Sequence, residues 1–150
     1  VKKSVVVFRV GAEWLALPTP VFQEVAERRV IRSLPHQQNN FVLGLASVRG
    51  ELLLCISIAG LLGIKTEAAG NTRRPAYDRL LVVGQHGQRL AFPVDEVLGV
   101  QRYLPAEVAE LSGGGAFAAT CVGGVLKLEG RAVGLLDAEK FFIAVDRSFA

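Results

Sequence analysis

The chain repeats itself, and the repeat constrains the fold more than any single motif. Val6-Val7-Phe8, Leu15-Ala16-Leu17-Pro18, Phe22 and Val25 recur 75 positions later as Leu81-Val82-Val83, Leu90-Ala91-Phe92-Pro93, Val97 and Val100. Gly44-Leu45-Ala46-Ser47-Val48-Arg49-Gly50 recurs 80 positions later as Gly124-Val125-Leu126-Lys127-Leu128-Glu129-Gly130, and Leu61-Leu62 answers to Phe141-Phe142. A unit of about 60 residues buries too little surface to be comfortably stable alone, so the two copies are expected to share a core. The polar stretch Lys65 to Asp78, with Gly70-Asn71-Thr72-Arg73-Arg74-Pro75, reads as the linker between them. The expectation is a first unit over about 1–64 and a second over about 79–143, with a strand exchanged at the C-terminus as a further possibility.

Within each copy the pattern is that of strands. Val5 to Val10 is rich in β-branched residues, Gly11-Ala12-Glu13 can turn it, and Trp14 to Leu17 runs back. Leu80 to Val83, Gln85-His86-Gly87-Gln88 and Leu90 to Phe92 repeat this hairpin. Leu52 to Ile58 and Ala132 to Leu136 are short, nearly continuous apolar runs, as strands buried on both faces require. Short helical turns are predicted at Ala59 to Leu62, Pro105 to Leu111 and Asp137 to Phe142, the last opened by an acidic cap. Short strands ended by Gly, Pro or Asn point to small barrels or a sandwich instead of alternating βα units.

Reactive chemistry is thinly represented. Nucleophilic catalysis needs Ser or Cys near His, and the two histidines are His36 in a polar loop and His86 at a hairpin tip, both read as solvated. Cys55 and Cys121 lie far apart in apolar stretches and read as buried structural thiols. Neither paired cysteines nor a His pair at helical spacing suggests a metal, and Gly113-Gly114-Gly115 and Gly123-Gly124 match no phosphate-binding pattern, so no metal or cofactor is expected. Asp95 and Glu96 are sequence neighbours that an extended backbone would point to opposite faces, a poor acid–base pair.

The apolar run Leu52 to Ile64 is thirteen residues and is interrupted by Ser57 and two glycines, whereas a membrane-spanning helix needs ~20. No export signal opens the sequence, and the cytoplasm is the expected compartment. The net charge of +3 is spread thinly, with Arg28, Arg29, Arg32 and Arg73, Arg74 as its densest groups, and only 7% of residues are aromatic. A small basic β-barrel that binds nucleic acid is the reading of another class, but such a footprint is expected to be denser. Apolar surface without reactive groups suits a binding module.

Five segments, in order and spacing, resemble the motifs of CheW-like domains. They are Phe8 to Pro18, Val21-Phe22-Gln23-Glu24-Val25, Gly44 to Gly50, Val94-Asp95-Glu96-Val97-Leu98-Gly99-Val100, and the ending from Gly123 through Val133 to Leu136-Asp137-Ala138-Glu139-Lys140-Phe141-Phe142. The resemblance implies a mainly β fold, two intertwined five-stranded Src-homology-like barrels with a few short helices. It implies a non-enzymatic adaptor joining the cytoplasmic tip of a methyl-accepting chemoreceptor to the regulatory domain of the histidine kinase CheA. A regulatory domain of such a kinase, or of a receiver-bearing coupling protein, is the alternative within the same family. Glu24 and Arg49 align with an acidic residue and an arginine of the family's receptor-facing surface, and together with Phe22 and Gly44, which flank them, they are the receptor-binding residues that the resemblance implies. The resemblance assigns no kinase-contacting residue. Ser47-Val48 stand where the family usually has Asn-Leu, and Leu54 and Ser57 replace a typical proline and aspartate, which marks a divergent member and leaves the pathway open between general chemotaxis and an alternative chemosensory system.

Overall fold

The computed structural model describes residues 2–27, 31–32, 42–62, 79–109 and 121–147; His36, the linker and the triple glycine lie outside the described residues. The first copy forms β1 (Lys3–Val10), β2 (Glu13–Pro18), β3 (Phe22–Glu27), β4 (Val42–Val48), β5 (Glu51–Ile56) and the short helix α1 (Ile58–Leu62). The second forms β6 (Arg79–Gln85), β7 (Gln88–Val94), β8 (Glu96–Tyr103), β9 (Val122–Leu128), β10 (Arg131–Leu136) and α2 (Ala138–Arg147). The helix predicted from Pro105 shrinks to a 3-10 turn, Pro105–Glu107, because the chain straightens to place Ala109 beside β9.

Local chemistry explains the turns. Four hairpins close through two residues, and three of them do so with a residue followed by glycine, Arg49-Gly50, His86-Gly87 and Glu129-Gly130. In each pair both residues have positive φ, from 51 to 54° at the first and 79 to 80° at the glycine. That is the signature of a type I′ turn, whose twist matches the flanking strands. The helices start alike too. Ser57 Oγ accepts from the Gly60 N–H and Asp137 Oδ1 from the Lys140 N–H, each at 3.0 Å and 80 positions apart, so both caps come from the repeat.

The ten strands make two five-stranded sheets. Sheet I has the order β8-β1-β2-β10-β9 and sheet II the order β3-β6-β7-β5-β4. Replacing each strand by its repeat partner turns one order into the other. Each sheet thus takes a hairpin from one copy and three strands from the other, joined by antiparallel pairs β1–β8 and β3–β6 and by parallel pairs β2–β10 and β5–β7. Two units contiguous in sequence, 1–64 and 79–143, therefore do not correspond to the sheets, and the exchange reaches far beyond the C-terminus. The connections explain this. The 3-10 turn Thr19–Val21 leads from β2 in sheet I straight into β3 in sheet II, and Asp95 alone separates β7 from β8.

The duplication extends to irregularities. Gln23 on β3 and Leu98 on β8 are each the extra residue of a bulge, as are Leu43 on β4 and Gly123 on β9. A bridge between Arg32 and Leu45, with both N···O distances 2.8 Å, curls sheet II toward closure, and Ala109 with Val125 does the same for sheet I. Gly124 permits the second approach, since a Cβ there would stand 2.5 Å from Val108 Cγ1 and 3.1 Å from the Ala109 carbonyl oxygen.

The curled sheets bury both faces of β1, β2, β6 and β7, which is why β1 and β6 read as continuous apolar runs. Val5 and Val7 join Ala16, Tyr103, Leu126 and Val133 in a cluster carried by sheet I. Ala26, Ala46, Val48, Leu53, Leu80 and Val82 form its counterpart on sheet II. The alternate residues Val6, Phe8, Leu81 and Val83 enter a larger core between the sheets, with Leu15, Leu17, Phe92, Ile56, Leu136 and the α2 residues Phe141, Phe142 and Val145. Phe92 anchors it, with ring centroids 5.4 Å from Phe8 and 6.0 Å from Phe141.

Both cysteines are free and buried. Burial pushes the thiols of Cys55 and Cys121 from 9.0 up to about 11, the latter with a smaller push from Asp137 that Lys140 partly offsets. The folded protein thus holds these protons more tightly than the unfolded chain. Their contribution to stability is complete below pH 9 and falls as pH rises toward 11. A chromogenic thiol reagent at neutral pH is expected to titrate neither thiol until denaturant is added, and rapid reaction of the native protein would contradict this burial.

Candidate functional site

Arg49 and Glu24 meet where β3 faces the β4–β5 turn. Arg49 Nε lies 2.9 Å from Glu24 Oε1 and 3.1 Å from Oε2, so one N–H is shared between both carboxylate oxygens. The Arg49 side chain is 77% exposed and that of Glu24 23%, which leaves most of the guanidinium's donors facing solvent. An ion pair this exposed contributes about 0–1 kcal/mol to stability, so its structural effect is orientation. Strain at Arg49 does not by itself mark a function, since His86 and Glu129 occupy the same left-handed region in the other two turns.

The pair is one side of a closed circuit. Gln23, adjacent to Glu24, accepts from Arg89 Nε at 2.7 Å through Oε1. Arg89 Nη1 in turn donates to Glu51 Oε1, and Glu51 follows the Arg49-Gly50 turn. Going round, the circuit runs from Glu24 across the ion pair to Arg49, along the backbone through Gly50 to Glu51, across to Arg89 and Gln23, and along the backbone back to Glu24, over the end of sheet II. Gly84 on β6 makes room, because a Cβ there would sit 2.4 Å from Gln23 Nε2 and 3.2 Å from Arg89 Cγ.

The repeat supplies an internal comparison. At the same end of sheet I, the positions of Gln23, Glu24, Arg49, Glu51, Gly84 and Arg89 are taken by Leu98, Gly99, Glu129, Arg131, Arg9 and Trp14. The chemistry there is aromatic. Arg131 Cζ stands 4.6 Å and Arg9 Cζ 5.9 Å from the centroid of the Trp14 ring, within cation–π range. Arg9 also pairs with Glu96 at 3.2 Å, and Arg131 with Glu129 at 3.8 Å. Beside this stack a groove is lined by Val7, Leu98, Leu128 and Val133 together with Gln101, Glu129 and Arg131, and Leu98 and Val100 are exposed on β8.

Of the residues marked in the sequence, the structure joins Glu24 to Arg49 directly. Phe22 is half-buried and packs against the core between the sheets. Gly44 is buried at the β4 bulge with φ 142°, and lies about 17 Å along the strand from Arg49 at the usual rise per residue. His86 is exposed at its hairpin tip. Asp95 Oδ2 accepts from the Gly11 N–H at 2.7 Å while Glu96 holds Arg9, so this acidic pair has separate structural employment. Among the described residues no group of three or more His, Cys, Asp or Glu could hold a metal ion, and no helix is long and apolar enough to cross a membrane. Sequence reasoning overlooked Gln23, Glu51 and Arg89. The signal that would have found them is the divergence between copies, since Arg89 aligns with a tryptophan and Glu51 with an arginine.

The model of the CheW-like domain matches residues 4–145. Among solved structures the fold is similar to that of the scaffolding protein TtCheW from Thermoanaerobacter tengcongensis, with a TM-score of 0.75 and 21% identity over 91% of this chain and 90% of that one. Among curated proteins no sequence matches.

Proposed function

This chain belongs to the CheW-like domain family, and on that premise we propose that it is a non-enzymatic coupling scaffold of bacterial chemosensory signalling. In this reading it joins the cytoplasmic tip of a methyl-accepting chemoreceptor to the regulatory domain of the kinase CheA, on the cytoplasmic side of the membrane and without a cofactor. The observation that carries the reading is Arg49, held by Glu24 and still largely exposed. A receptor tip is a helical hairpin, and such a partner is gripped by apolar anchors together with a few charges that set orientation. An arginine fork fixed on one side by a carboxylate keeps donors free to meet acceptors on the other. Glu24 and Arg49 are thus assigned to the receptor-facing surface, with Phe22 and Gly44 supporting β3 and β4 behind them.

The test is capture of a receptor cytoplasmic fragment, with and without the kinase regulatory domain. Arg49→Glu is expected to weaken capture by at least about tenfold, because it places a second negative charge beside Glu24. Arg49→Asn removes the fork but keeps a residue that type I′ turns favour, so it should lose binding with no loss of folding. Unchanged capture by both variants with native circular dichroism would refute the site.

A further inference from the structure

We propose that Arg89 is a positioning residue for partner binding: by bridging Gln23 to Glu51 it closes the ring that holds the Arg49 turn in place. The partner half of this proposal rests on the coupling reading above; the ring half does not.

β3 and β4 stand at opposite edges of sheet II, so the spacing between Glu24 and the β4–β5 turn is not set by a shared strand ladder. One exposed ion pair is a weak tether, and it costs rotamer freedom at both ends. Arg89 adds a second tether from the middle of the sheet. Its Nε and Nη1 belong to one rigid plane, so Gln23 on β3 and Glu51 on β5 are located relative to each other and not merely attracted. With both tethers in place, Arg49 is held through Glu24 on one side and through Gly50-Glu51 on the other.

Sheet I shows that folding does not demand this ring. It has the same strand order under the repeat, the same bulges and the same type I′ turn, yet Leu98, Gly99 and Trp14 occupy three of the ring positions and cannot form those polar links. The ring distinguishes sheet II from sheet I, and among its charged members Arg49 is the most exposed, ahead of Glu51, Arg89 and Glu24.

Two variants of the full chain break the ring differently. Arg89→Ala removes the bridge. Gly84→Ala keeps every charge but drives its Cβ into the Gln23 amide, the free end of a flexible side chain that can swing away without unfolding the sheet. Both are expected to keep native circular dichroism and to weaken binding of a receptor cytoplasmic fragment about fivefold, with no further loss once Arg49→Asn is present. Reversing the pair, Arg89→Glu with Glu51→Arg, is expected to recover most of the affinity. In the free protein, the Arg49 Nε–Hε correlation in nitrogen-resolved NMR is expected to be sharp, and to broaden or vanish in Arg89→Ala. An Arg49 signal unchanged by Arg89→Ala would overturn the ring itself. A fivefold loss that persists in the Arg49→Asn background, or receptor binding indifferent to Arg49→Asn, would overturn the positioning role, the latter together with the coupling reading.

Discussion

Cut within residues 65–78, the two halves of the chain are expected to remain unfolded when separate and to regain the native β-sheet spectrum when mixed in equal amounts. Each sheet needs strands from both halves. Without the second half, β1 and β2 lose β8 and β10, and β3 and β5 lose β6 and β7. A lone half would keep two hairpins that do not pair with each other and one unpaired strand, and an isolated hairpin is at best marginal in water. It would also expose the apolar faces that now meet between the sheets. Circular dichroism of each half and of the mixture, with size-exclusion chromatography of the complex, provides the measurement. A half that melts cooperatively alone would show that the exchange of hairpins is dispensable.

Phe92→Ala is expected to cost about 3–5 kcal/mol, a large part of the stability of a domain this size. Phe92 is fully buried on β7 of sheet II, Phe8 lies on β1 of sheet I and Phe141 on α2, and their rings meet edge to face or tilted. Truncation would therefore leave a cavity where three elements converge, and none can collapse into it without dragging a whole strand or helix. Urea unfolding followed by fluorescence of Trp14 would report the shift in midpoint. Val100→Ala is the control. At 59% exposure on β8, it should change stability by less than about 0.5 kcal/mol.

The duplicated β architecture was legible because register survives where identity does not. The apolar runs at Val5 and Leu80 reveal strands packed on both faces, and Ser57 and Asp137 mark where the helices begin. The exchange was not legible. Nothing local to the β1–β2 hairpin says whose strands flank it, because pairing across copies uses the same apolar alternation as pairing within one. β3 and β8 were also hard to see. They carry Gln23-Glu24 and Leu98-Gly99 at bulges, which break the alternation that identifies a strand.

At the candidate site, Glu24 and Arg49 were found through a resemblance. Their contact is a matter of tertiary distance, since the two residues stand 25 positions apart. Arg89 was further from reach. Its partners, Gln23 and Glu51, lie 66 and 38 positions away, and only the assembled sheet puts all three over one end.

The hairpin exchange also bears on how such a sequence can change by recombination. A crossover in the linker would replace two strands of one sheet and three of the other at once, making mismatches at four inter-strand boundaries. Swapping halves between relatives is thus heavily penalised, whereas altering side chains at one sheet end leaves every boundary intact. The route open to divergence is piecemeal substitution at the rims, and the ion-pair ring opposite the tryptophan stack is the pattern that such a route would produce.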